Sequence, residues 1–316
     1  MSFIRNISLI AALIVCGTKV SAQHTPIFPI ANRVLTPFII NPAIAGSKDF
    51  MAIDLAATVQ GDYFSQLLSG NTRIAHKGPR YFGAPVGKSF SNLGVGGSLF
   101  NDHYGSSRSI GVSAAASYHI PLSNKNISFV SGGIAVKGIY NFMDSIPDPG
   151  LPGRESLIPN IDAGIYLYSK NLYAGVSATN LLGSMIDSID MATYKIPVTR
   201  QYFFLAGYKI VLSRSLNIVL EPSIIINLDD SLNFNDRGTY KPMLKLYMDA
   251  FCVGSYLHDY DNLTLFFQYK FPKVYIGTLV DFPRDVPFFK RGLTIEIAAG
   301  FNFGSVNQTA GSRYQW

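Results

Sequence analysis

The sequence predicts an all-β protein, a transmembrane antiparallel β-barrel of about 14 strands with 12 as the other even count. Three observations predict it. Charged residues are only 15% of the chain, against roughly 25% in ordinary globular proteins. Aromatic residues reach 13%, with 18 Tyr and 22 Phe. Apolar residues recur at every second position over long segments, yet past the N-terminus none forms a run of about 18 residues, so no second membrane helix is predicted. A barrel produces this pattern because its strands turn alternate side chains to lipid and the remainder to the lumen.

The alternation is clearest in three segments. In 216–228 the even positions are Leu216, Ile218, Leu220, Pro222, Ile224, Ile226 and Leu228, while the odd ones include Asn217, Glu221, Ser223 and Asn227. A strand gathers the apolar set on one face, whereas a helix would scatter it. In 293–303 Leu293, Ile295, Ile297, Ala299, Phe301 and Phe303 alternate with Thr294, Glu296, Ala298, Gly300 and Asn302. In 110–120 the apolar even positions face Gly111, Ser113, Ala115, Ser117 and His119 across the strand. Each segment has about the 9–11 residues that a tilted strand needs to cross a bilayer.

Candidate strands fall at 50–60, 62–73, 91–100, 109–120, 126–140, 160–168, 171–179, 200–212, 215–228, 243–253, 262–270, 273–282 and 292–303. A soluble sandwich also alternates, but strand length, aromatics near the strand ends and an export signal favour the membrane barrel. Short links at 169–171 and 213–215 suit periplasmic turns. Longer Pro/Gly-rich or polar spans at 77–87, 144–159, 183–197 and 229–241 suit the external side.

The N-terminus reads as a signal peptide over 1–22. Arg5 precedes a short apolar core at 7–15, and Val20-Ser21-Ala22 directs cleavage between Ala22 and Gln23. That core is too short to span a membrane. Cys16 follows the branched Val15 rather than a small residue, which argues against a lipoprotein site. The expected destination is the outer membrane of a diderm bacterium, reached through Sec export. The remaining divisions are a Pro-rich segment at 23–48, the barrel at 49–304 and a tail at 305–316. Pro26, Pro29, Pro37 and Pro42 keep 23–48 out of the wall, since proline cannot donate to a central ladder.

Losing Arg5 and Lys19 with the signal lowers the net charge from +6 to +4. The remaining basic residues are scattered, so no nucleic-acid partner is predicted. The mature chain keeps one cysteine, Cys252, which excludes an internal disulfide and a cysteine metal site. There is no Gly-x-Ser-x-Gly elbow and no His-Glu-x-x-His helix. Asp102-His103 and His258-Asp259 are adjacent pairs in predicted turns, and neighbours on a strand face opposite ways. His119 is predicted to line the lumen. The sequence therefore predicts no enzyme, no metal site and no cofactor.

Asn41-Pro42-Ala43-Ile44-Ala45-Gly46-Ser47 is the most distinctive element of the pre-barrel segment. Pro42 biases Asn41 to an extended conformation whose side chain can close an Asx turn. Ala43, Ala45 and Gly46 permit close backbone approach, so a seat in the lumen or at the periplasmic mouth is expected, the alternative being an ordinary turn leading into the first strand.

This motif resembles the N-terminal element of the PorP/SprF family. Gly94-Val-Gly-Gly-Ser-Leu-Phe-Asn101-Asp102-His-Tyr-Gly105 is similar to the family's glycine-rich strand and turn. Pro159 to Gly164, Tyr173 to Ser177, Leu205 to Tyr208 with Leu220 to Ser223, and Glu296 to Gly304 resemble its later blocks in order. The first strand departs from the family's Arg-x-Gln-Trp pattern, reading Ala57-Thr-Val-Gln-Gly-Asp62. The resemblance implies a non-catalytic outer-membrane barrel of the type IX secretion apparatus, serving gliding or adhesin export. Its implied partners are an exported, adhesin-like surface protein, other secretion components and outer-membrane lipid. Asn41, Pro42, Ala43, Ala45, Gly46, Asn101, Asp102 and Gly105 are the candidate structural or partner-binding residues. The alternative is a FadL-like diffusion channel for small hydrophobic molecules, since an Asn-Pro-Ala segment also occurs in FadL-type hatches.

Overall fold

The computed structural model describes residues 34–48, 50–75, 90–105, 107–123, 128–143, 154–183, 199–258, 262–271, 273–283 and 294–303. Ala22, Gln23 and the 305–316 tail lie outside the described residues. The strands are β1 (Met51–Gln60), β2 (Tyr63–Ala75), β3 (Phe90–Tyr104), β4 (Ser107–Ser123), β5 (Ser128–Met143), β6 (Arg154–Tyr168) and β7 (Leu172–Thr179). They continue as β8 (Gln201–Tyr208), β9 (Ile210–Ser213), β10 (Ile218–Asp229), β11 (Tyr240–Met248), β12 (Phe251–His258), β13 (Asn262–Lys270), β14 (Val274–Pro283) and β15 (Thr294–Phe303).

Each wall strand pairs antiparallel with the next, and β1 pairs with β15 from Met51↔Phe303 to Val59↔Ile295. The sheet therefore closes on itself. β8 and β9 both pair with β10 and form two halves of one wall strand. Counted in this way, the closed barrel has 14 strands. Closure pairs β1 with β15, so among the described residues the sheet has no free first or last strand, as strands that span a bilayer require.

Burial follows the sequence alternation. Along β4, Val112, Tyr118 and Ile120 are exposed on the outer face, while Ser117 and His119 are buried inside. Along β15, Ile297 and Phe301 are exposed, and Thr294, Glu296 and Ala298 are buried. In β10 the inward set includes Val219, Glu221 and Ile225. Leu228, which the alternation assigns to lipid, is buried instead.

Three expectations require correction. Residues 243–253 do not form one strand, because the chain reverses at Asp249, which adopts φ +52°. The turn contains neither Gly nor Pro, and aspartate tolerates the left-handed region through local hydrogen bonding. The external span predicted at 144–159 ends early, since 154–159 belongs to β6. Pro159 is accommodated there because β6 pairs with β7 only from Ala163 onward, leaving its N–H side free of a ladder. Asp102-His103 lies in β3 rather than in a turn. Antiparallel connections alternate between barrel ends. The strand ends Ala75 and Phe90 thus share an end with the short turns at 169–171 and 214–217 and with the start of β1. The 77–87 span, expected on the external side, lies outside the described residues.

Val136 is 59% exposed at the middle of β5, while its neighbour Lys137 turns inward to Asp162 at 2.8 Å. Val136→Arg is expected to destabilise the folded barrel by about 2–4 kcal/mol. Urea titration in vesicles measures this, and an unchanged midpoint would reverse the face assignment.

Candidate functional site

Residues 34–47 enter the lumen and cross the inner face of the wall. Pro37 and Pro42 each open a single 3-10 turn, Pro37–Ile39 and Pro42–Ile44. Proline suits these first positions because its φ is already near the helical value and its missing N–H would go unused. Asn41 is extended at φ −140°, and its Oδ1 accepts from Ala43 N at 3.0 Å, capping the second turn. Gly46 takes φ +71°, and a Cβ there would lie 2.7 Å from Gly94 Cα. Only glycine fits that position.

The wall meets this segment with small residues aligned by strand register. Gly94 pairs with Ser117, Ser117 with Gly133, Gly133 with Gly164, and Gly164 with Ser177. These five inward positions form one rung across β3 to β7. The glycines leave room for the segment's backbone: a Cβ on Gly133 would stand 2.5 Å from Ala43 N, and one on Gly164 would overlap Asn41 Oδ1. The serines donate to its carbonyls. Ser177 Oγ reaches Ile40 O at 2.6 Å and Ser117 Oγ reaches Ala45 O at 2.6 Å. Two residues along β5 on the same face, Ser131 Oγ donates to Ala43 O at 2.7 Å.

Asn41 is wholly buried, and its Nδ2 donates to the wall carbonyls Ile165 O at 3.2 Å and Val176 O at 3.4 Å. At the far end Arg73 Nε donates to Gly46 O at 2.9 Å, and Asn71 Oδ1 accepts from Gly46 N at 3.3 Å. His119 Nε2 lies 2.9 Å from Ala45 O, which can only accept, so Nε2 carries the proton. Its Nδ1 then accepts from Tyr168 OH at 2.9 Å, and Tyr168 also bonds Arg73. Main-chain polar groups of a buried segment are thereby matched, as burial requires.

Apolar contacts support both ends. Phe38, Ile40, Ala43, Ile44 and Ala45 pack with Ala115, Ala135, Tyr166 and Phe203, while Val34 packs against Val219, Tyr247, Cys252 and Tyr256. Across the lumen Glu221 accepts from Tyr173 OH at 2.9 Å and Tyr247 OH at 3.2 Å. Lys245 Nζ stands 3.4 Å and Lys209 Nζ 3.9 Å from the same carboxylate.

The structure thus gathers Asn41, Pro42, Ala43, Ala45 and Gly46 at one seat. Asn101, Asp102 and Gly105 lie at the opposite end of β3 from Gly94. Asn101 faces outward and accepts from Arg108 Nε at 2.8 Å, whereas Asp102 faces inward and accepts from Ser65 Oγ at 2.5 Å. Gly105 serves the tight turn at φ +53°. Sequence reasoning did not assign Arg73, Ser117, Ser131, Gly133 or Ser177 to the seat. Inward Gly and Ser on successive strands were visible, but only register sets them on one rung. Among the described residues no group of three His, Cys, Asp or Glu could hold a metal ion.

Asn41→Asp keeps the shape but replaces two donors by an acceptor facing two carbonyls. It is expected to cost at least about 1–3 kcal/mol. Hydrogen exchange of 38–47 should rise to solvent-exposed rates, while unchanged protection would remove Asn41 as the anchor.

Fold and site together define a transmembrane β-barrel whose lumen holds its own N-terminal segment. The chain matches the family described as type IX secretion system membrane protein PorP/SprF over residues 33–301, and it belongs to that family. It is an outer-membrane protein. No curated protein matches the sequence. Among solved structures it is similar to a KdgM porin, with 10% identity, TM-score 0.39 and coverage of 80% of this chain and 99% of the porin. It is also similar to a Pseudomonas aeruginosa FadL homologue, with 11% identity, TM-score 0.43 and coverage of 84% and 93%.

Proposed function

We propose that the protein is a non-catalytic part of the type IX apparatus that holds an exported surface protein or a periplasmic tether. The observation that carries this reading is the seated N-terminal segment. Residues 34–47 occupy the lumen against β3 to β7, where a freely diffusing solute would have to pass. The alternative, a FadL-like channel for hydrophobic molecules, fits the lining poorly, since Glu221, Glu296, Asp162, Asn160 and His119 are buried on the inner face. A hydrophobic solute would have to displace their polar partners.

A gentle-detergent pulldown of the tagged protein from native outer membranes tests the proposal. Co-purification of one large exported surface protein or of envelope secretion components is the expected result. A barrel recovered alone, carrying fatty acid, would overturn it in favour of the channel.

A further inference from the structure

We propose that the inner wall of β3 to β7 is a peptide-binding site that reads main chain, and that it accepts the Asn-Pro-Ala-x-Ala-Gly peptide in trans as well as in cis. The contacts define the ligand class. Ser177, Ser131 and Ser117 each donate to a carbonyl of the segment, and Arg73 donates to another. None of these four bonds depends on a side chain of the segment. Asn41 is the one residue of 40–46 whose side chain bonds the wall, through two wall carbonyls. The ligand is therefore a short peptide of small residues with one asparagine at its head.

The wall does not need the segment in order to form. Its rung is set by β-ladder pairing, which runs without a register shift through Gly94↔Ser117, Ser117↔Gly133, Gly133↔Gly164 and Gly164↔Ser177. The sockets are absences of side chain, and the donors are short side chains with few rotamers. A site of this kind is preorganised, so little ordering cost falls on binding. The tether through Lys48 gives the native segment an effective concentration on the order of mM. A free peptide therefore gains access only when the tethered copy is weakened.

The test uses a fluorescein-labelled peptide of residues 34–47 and full-length protein in detergent, read by anisotropy. The wild-type chain should bind it weakly because its site is filled. Asn41→Asp, with its own segment shown by hydrogen exchange to be released, should bind at least about tenfold more tightly, a difference of about 1.4 kcal/mol. Asn41→Asp with Gly133→Val should lose that gain, since the valine fills the socket. Asn41→Ala replaces Asn41→Asp if the charged variant does not assemble.

A released segment without peptide binding would overturn the proposal. So would equal binding by the double variant, equal binding of a scrambled peptide, or a native segment that stays protected in both Asn41 variants. The proposal goes beyond the holding role, and its test contains no partner, so its failure would leave that role standing.

Discussion

Gly133→Val is expected to expel the N-terminal segment from the lumen while leaving the barrel closed. The new Cβ would stand 2.5 Å from Ala43 N and 2.6 Å from Ala43 Cα. These are backbone atoms held on both sides by Ser131 and by the Asn41 cap, so they cannot swing away as a side-chain tip would. Overpacking commonly costs about 1–3 kcal/mol, and a clash with fixed backbone belongs at or above the upper end. Hydrogen exchange of 38–47 and electrical conductance in planar bilayers both report the outcome, and both should rise. Gly132→Val is the internal control. Its neighbouring position faces lipid, and a Cβ there meets nothing within 4 Å. If Gly132→Val and Gly133→Val behave alike, the socket interpretation is wrong.

Glu221→Gln should be the most destabilising conservative change in the wall. Glu221 on β10 is 3% exposed and receives two tyrosine hydroxyls and two lysine ammonium groups from β7, the β8–β9 strand and β11. Removing one partner of a buried ionic group costs about 3–5 kcal/mol, because the remaining charge is left in a poorly solvating site. Glutamine keeps the volume and an acceptor for one tyrosine, which isolates the charge as the cause. Thermal unfolding in detergent, followed by the heat-dependent gel shift of the folded barrel, measures it. A variant with unaltered unfolding would show that solvent reaches the lysines and screens them.

Much of the barrel was legible in the sequence because lipid and lumen impose opposite chemistries on adjacent residues. Val112, Tyr118 and Ile120 against Ser117 and His119 state that division outright, and β4 obeys it. Legibility failed where turn chemistry was unmarked, as at Asp249, and where proline sat on an unladdered strand edge, as at Pro159. The motif at 41–46 was recognisable as compact and suited to the lumen or the periplasmic mouth, because proline and the Asx turn are local devices. Its companions Asn101 and Asp102 were grouped with it by sequence resemblance, although their side chains point to opposite faces of β3.

The sequence by itself determined that the chain is an alternating-strand membrane barrel with a rigid, small-residue segment ahead of it. Both properties are local, written in period-two patterning and in proline and glycine placement. Only the tertiary structure decided where that segment rests and what receives it. Gly94, Ser117, Gly133, Gly164 and Ser177 lie far apart along the chain, and they become one shelf through strand register. Register is set by pairing across the whole closed sheet, and a one-residue slip in any strand would turn its Gly or Ser to lipid.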